Sequence, residues 1–338
     1  MLRVPRSAGL IACVGLGATS TDVALATLGR GILAHVGEPS DIKDGPRVVL
    51  DRAKELLAGL LEQGSEPRDA LAVGVGVPGP LEQASGLLRS PPIMPGRDDS
   101  PIRSVFADEY AAPVFVDNHV NVMALGEHRG GAGNGVDNGV DNGVDNVPFV
   151  KTGTGIGGAI IADGRPYRRT QGYAGDIGHL CADPDGPLCP CGNRGCLEAM
   201  AGAPAIAARA ERCARSRASV ALQLRLEERG RPDARDVGAA AALGDHHVFD
   251  IIRESGRIVG RVPATLVSTL HPSLVIVGGV ANIWHALLAE IRSAAYRRSL
   301  PLATRNLPMV LSELDGMAGV AGASVLAAKG VLQKAGTG

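Results

Sequence analysis

The sequence predicts a two-domain α/β protein with a cleft between the halves. Three observations carry that expectation. Strands, glycine-rich turns and helices follow one another in two comparable rounds along the 338 residues. Each glycine-rich turn stands at the end of an expected strand. Hydrophobic residues make up 45% and aromatics only 3%, so the core is built from Ala, Val, Leu and Ile.

The first round opens with two short strands at 9–15 and 22–28 and a third at 31–36. A helix is expected over 47–62, where Val49, Ala53, Leu56, Leu57, Leu60 and Leu61 recur at helical spacing with charges opposite. LAVGVGVPGP (71–80) reads as a buried strand ended by a Gly/Pro turn. A strand at 112–118 follows, then a helix at 119–129. Residues 134–146 repeat Asn-Gly-Val-Asp three times before a last Asn. Its spacing of four is not that of a calcium loop, so it reads as an insertion of turn formers. The second round has strand, Gly-rich turn and strand over 147–164, helices over 203–217, 235–244 and 247–270, and a buried strand at 273–279. A helix at 282–298, a strand at 308–313 and a helix at 317–334 complete it.

Composition excludes several functions. A net charge of −1 leaves no basic footprint for nucleic acid. No apolar run reaches the roughly 18 residues of a membrane span. MLRVPRSAG at the start has no apolar signal core, so a cytoplasmic location is expected. Three of the six Cys lie within residues 189–196, which suits a metal in a reducing compartment better than a disulfide framework.

The metal reading comes from GHLCADPDGPLCPCGNRGCLE (178–198). His179, Cys189, Cys191 and Cys196 supply one imidazole and three thiolates, the donor set that tetrahedral Zn²⁺ takes. Four protein ligands close the shell, so the zinc is expected to be structural. Cys13 and Cys213 read as small core residues, and Cys181 is spare once four ligands are counted.

Four glycine-rich turns could hold phosphates: 15–20, 74–80, 152–158 and 278–279. Glycine lets backbone N–H groups approach a phosphate, and Thr hydroxyls add donors. None matches the P-loop or the dinucleotide fingerprint. His35, His128, His246, His247, His271 and His285 have no second ligand at metal spacing, Trp284 reads as a packing or surface residue, and Arg292, Arg297 and Arg298 read as a solvated helix face.

These motifs resemble the ROK family (repressors, open reading frames and sugar kinases) within the actin-like ATPase and sugar-kinase superfamily, a ribonuclease H-like fold. The resemblance rests on VGLGATS (14–20), VGVGVPGP (73–80), VDNHVNVMALGE (116–127), KTGTGIGGAI (151–160), AGDIGHL (174–180), CPCGNRGCLE (189–198) and VIVGG (275–279). PPIMPG (91–96) and GATS are similar to a branch rich in actinobacterial regulators. By this resemblance Gly17, Ala18 and Thr19 form a first phosphate loop, and Thr152, Gly153, Thr154 and Gly155 a second. Gly278 and Gly279 form the adenosine turn. Asn118, Asp176, His179 and Glu198 fall where the family contacts sugar hydroxyls, with Asp176 one methylene shorter than the usual Glu. His179 would then serve zinc with one ring nitrogen and the sugar with the other. The implied domains are a smaller one of 1–117 plus 318–338 and a larger one of 118–317 carrying the zinc loop 179–196. Mg·ATP is the implied nucleotide and a homodimer the implied assembly.

Two departures matter. Gly15 stands where the family has the Asp that helps place Mg²⁺, and His119 where it has the Asp that acts as general base. Phosphoryl transfer depends on positioning, metal charge and that base, and a base is worth about 10²–10⁴ in rate. The leading expectation is therefore a sugar-binding protein whose kinase chemistry is lost or strongly reduced. An active sugar or cyclitol kinase that uses His119 as its base is the alternative, since an imidazole at a helix N-terminus is held neutral and can accept a proton. His119 could also only hydrogen-bond a ligand hydroxyl. A third reading is the ligand-sensing domain of a ROK regulator. About eight residues precede the first strand, against the domain-scale ~60 of a winged helix-turn-helix, so no DNA-reading element is expected within this chain.

Overall fold

The computed structural model describes residues 9–28, 31–63, 70–79, 81–82, 85–88, 101–134, 146–168, 175–279 and 284–336. The motif PPIMPG and most of the Asn-Gly-Val-Asp repeat lie outside them. Two compact units form. One draws on Met1–Gly135, Arg165–Ala174 and Gly316–Gly338, the other on Val136–Gly164 and Gly175–Asp315.

In the first unit the strands are β1 (Leu10–Leu16), β2 (Ser20–Thr27), β3 (Gly31–Pro39), β4 (Ala70–Val77) and β7 (Val114–Asn118), with β5 (Leu81–Glu82) and β6 (Leu87–Leu88) as a separate small ladder. The helices are α1 (Pro46–Glu62), α2 (Ile102–Tyr110), α3 (His119–Gly130) and α12 (Ala318–Gly336). The sheet order is β3-β2-β1-β4-β7. β1, β2 and β3 run as an antiparallel meander, while β1, β4 and β7 are parallel and joined through helices. Side chains alternate across a strand. Ala12, Val14 and Leu16 of β1 pack with Val49, Leu57 and Phe106 of α1 and α2. Ile11 and Cys13 pack with Val122 of α3 and Val320, Ala323 and Ala327 of α12. Both faces of β1 are covered, which is why its seven residues carry no charge. Cys13 is a core residue, and burial pushes its thiol far above the usual range. α12 approaches α3 so closely that a β-carbon on Gly322 would overlap the Val122 carbonyl oxygen.

The second unit repeats the plan. Its strands are β8 (Val147–Thr152), β9 (Ile156–Ala162), β11 (Val275–Gly279) and β12 (Met309–Leu311), in the order β9-β8-β11-β12, while β10 (Arg165–Pro166) falls with the first unit. β8 and β9 are antiparallel; β8, β11 and β12 are parallel. Its helices are α4 (Leu197–Ala201), α5 (Ala203–Arg215), α6 (Val220–Arg229), α7 (Ala234–Ala242), α8 (His246–Val259), α9 (Arg261–Leu270), α10 (Trp284–Arg298) and α11 (Pro301–Thr304). Val150, Val275 and Val277 of the sheet meet Leu197, Ile206, Ile252 and Ile291 of the helices in one core.

The single helix expected over 247–270 is two helices, α8 and α9, parted at Gly260. Pro263 lacks the N–H that a continuous helix would donate to Val259, so the chain restarts. α3 packs along α12, and the whole of α3 falls in the first unit, as do residues 165–168.

Among the described residues no helix is long and apolar enough to cross a membrane.

Candidate functional site

In the second unit the segment after β9 makes a 3-10 turn at Ile177–His179 and then a tight loop. Short antiparallel bridges, Cys181 with Cys196 and Leu188 with Arg194, fold that loop on itself. Gly192 and Gly195 take the positive φ values its reversals need. The ligand atoms of His179, Cys189, Cys191 and Cys196 consequently lie within 4.8 Å of one another. His179 turns Nδ1 toward Cys189 Sγ at 3.6 Å, and Cys191 Sγ is 3.6 Å from Cys196 Sγ. Tetrahedral zinc with N and S ligands has ligand–ligand edges of about 3.3–3.8 Å, so the separations fit. Burial raises the Cys189 thiol and pushes Cys196 up to about 12, while the Asn193 backbone N–H lowers Cys191 to about 7. Exposed Cys181 is not one of the four, and Cys213 is half-buried with its thiol raised by burial.

The Gly-rich turns of this unit come together. Thr152 Oγ1 donates to the Gly278 carbonyl at 3.1 Å, tying the turn 152–155 to the Gly278–Gly279 turn. The Gly153 carbonyl accepts the Ala203 N–H at 2.9 Å, at the start of α5. Glu198 on α4 accepts the Ile156 N–H on Oε2 at 3.0 Å, and a β-carbon on Gly155 would overlap that oxygen. Gly178, next to His179, is also near it. Asp176 is exposed and does not cap the 3-10 turn it precedes. Lys151 was not singled out from sequence, although it opens the motif KTGTG. Burial pulls its ammonium below the usual range and the Glu198 carboxylate opposes this.

The first unit holds the rest. Gly17, Ala18 and Thr19 form the β1–β2 turn, closed by Gly17 N–H to the Ser20 carbonyl at 2.8 Å. Asn118 caps α3. Its Oδ1 accepts the Val120 N–H at 2.8 Å and its Nδ2 donates to the Gly79 carbonyl at 2.8 Å. The Asn118 amide thus spends one N–H and one lone pair on holding this turn. His119, at the first position of α3, is 9% exposed. A β-carbon on Gly319 would stand 3.2 Å from its Cε1 and 3.8 Å from Gly15 Cα. The two departures from the family pattern are therefore neighbours, on either side of Gly319. Beneath them Asp117, 1% exposed, receives Arg168 Nε on Oδ2 at 2.7 Å, while its Oδ1 accepts from the Asn118 N–H and Asn121 Nδ2. Neither Asp117 nor Arg168 was expected to matter, and Arg168 carries no sequence signal.

A family model described as ROK family matches residues 11–330. The chain is 29% identical over 312 residues to a glucokinase of Halalkalibacterium halodurans, covering 91% of this chain and 92% of that one. It is 27% identical over 342 residues to a xylose repressor of Caldicellulosiruptor bescii, covering 95% of this chain and 79% of that one. Its structure is similar to that of a ROK family glucokinase from Streptomyces griseus in complex with glucose and AMPPNP. There the TM-score is 0.82 and the identity 29%, over 95% of this chain and 100% of that one.

Proposed function

The chain belongs to the ROK family, and from that premise we propose that it binds a sugar or sugar-like ligand and has lost, or nearly lost, the ability to phosphorylate it. Sugar binding is supported by the glucokinase relatives and by Asn118, Asp176, His179 and Glu198, whose acceptors and donors suit a polyol. The nucleotide turns are Gly17–Thr19, Thr152–Gly155 and Gly278–Gly279, and Mg·ATP is the nucleotide this reading assigns to them. Zinc on His179, Cys189, Cys191 and Cys196 would fix the loop that carries His179 and precedes Glu198. A homodimer is part of the same reading, and light scattering tests it.

The observation that carries the proposal is the Gly15–Gly319–His119 cluster. A sugar hydroxyl attacks a phosphoryl group well only when a base takes its proton and the anionic nucleotide is held with its metal. Gly15 offers no carboxylate, and an imidazole at position 119 brings no negative charge. Position 15 has room for the missing side chain to start. A β-carbon on Gly15 would have its nearest neighbours at 3.6–3.7 Å, ordinary contact distance.

The test is a coupled assay of ATP-dependent phosphorylation of common hexoses. Wild type is expected to show little turnover. Gly15→Asp and His119→Asp together should gain more than the product of the single gains, because both groups act on one transition state. A robust wild-type rate abolished by His119→Ala would instead make His119 the base of a working kinase. A double variant that binds sugar and Mg·ATP yet transfers nothing would also defeat the proposal. The similarity to the xylose repressor favours a second reading, in which sugar occupancy is the signal and no chemistry follows.

A further inference from the structure

We propose that Arg168 is a positioning residue: through the buried Asp117 carboxylate it sets the turn that carries Asn118 and His119. The geometry runs in three steps. Arg168 Nε donates to Asp117 Oδ2 at 2.7 Å, and a second guanidinium nitrogen meets the same oxygen. Oδ1 is thereby left for the Asn118 N–H at 2.7 Å and Asn121 Nδ2 at 3.1 Å. Those two donors fix the last peptide of β7 and the first turn of α3, where His119 sits between them in sequence.

A carboxylate 1% exposed must have its charge matched and its lone pairs filled. The guanidinium supplies positive charge, and Arg168, Asn118 and Asn121 are among the donors that fill the group's acceptor sites. Removing Arg168 takes two donors and a positive charge away from Oδ2, and the carboxylate must turn or find other donors. Each change alters what Oδ1 offers to Asn118. Lys cannot substitute, because one ammonium does not present two donors in a rigid plane. Arg168 lies 51 residues from Asp117 along the chain, on the stretch that follows β10 and leads on to Asp176 and His179.

The effect on sugar affinity rests on the function proposed above; the positioning role does not. The experiment separates them. Full-length protein labelled at histidine Cε1 is compared by NMR as wild type, Arg168→Lys and the charge-neutral pair Asp117→Asn/Arg168→Gln. The His119 signal is assigned as the one missing from His119→Gln. D-glucose binding is measured on each by calorimetry. The pair keeps hydrogen-bonding side chains without a buried charge, so it remains available if a single variant fails to fold. His119 is expected to shift in Arg168→Lys and in the pair while signals from histidines of the second unit stay in place. Glucose affinity should fall by about tenfold, the order seen when a ligand-orienting partner is lost. A folded variant whose His119 signal keeps its wild-type position overturns the proposal, whatever its affinity. Wild type that binds no glucose, with His119 still shifting in the variants, upholds the positioning role and counts against the sugar reading.

Discussion

Gly319 decides how much room the His119 ring has. A β-carbon there would stand 3.2 Å from Cε1, tighter than ordinary contact, so the imidazole must yield by a few tenths of an ångström. Gly319→Ala is therefore expected to cost about 1 kcal/mol of stability and to move the His119 signal, which chemical denaturation and histidine NMR would read. A second prediction concerns Lys329. Its pKa is lowered to about 8 by burial first and then by Arg129, Arg165 and Arg168. An ordinary Lys titrates near 10.4 when unfolded. Between those values the unfolded chain holds the proton and the folded one has released it, so stability rises with pH across that window. Below pH 8 the folded state bears the strain of the charged group in full. Lys329→Gln should raise the melting temperature at pH 7 and flatten the rise between about pH 8 and 10.4, as thermal melts of both proteins would show.

At the scale of elements, the clustering of His179, Cys189, Cys191 and Cys196 was legible because all four lie within 179–196, and short-range spacing is what a sequence displays most directly. Its predicted consequence is local. Chelation should lower the melting of the second unit by roughly 10 °C, about 3 kcal/mol for a unit of this size. Hydrogen exchange should then show α4 and the 3-10 turn opening while α1 and α12 keep their protection. The α3–α12 contact makes a different prediction. Gly322→Ala drives a β-carbon into the Val122 carbonyl, a backbone atom that cannot rotate away. A loss of about 2–3 kcal/mol in denaturant unfolding is expected. Some elements escaped the sequence reading for physical reasons. α2 has Pro101 rather than a capping side chain before it and ends at Ala111 in the left-handed region, where glycine is the usual marker. α8 and α9 merged because both are strongly amphipathic and the break at Gly260 is nearly helical in φ.

For the whole molecule, the repeated order of strands and helices was readable as two rounds, and both sheets indeed pair an antiparallel start with parallel returns. Runs such as LIACVGL and VIVGG mark strands covered on both faces, a pattern that survives without any knowledge of partners. The division between units was less legible. α3 follows β7 directly, yet its packing partner α12 lies some two hundred residues on, and no local pattern records that distance. The pairs Lys151 with Glu198 and Asp117 with Arg168 were hidden for the same reason. That separation bears on how the chain is made. The first unit needs α12 to cover Ile11, Cys13 and Ala72, and α12 follows every helix and strand of the second unit. On a ribosome the first unit therefore emerges early and waits, one face of its sheet covered by α3 alone, while the second completes itself. A chaperone that recognises exposed apolar strands would find its target there, and the wait would end only when α12 leaves the exit tunnel.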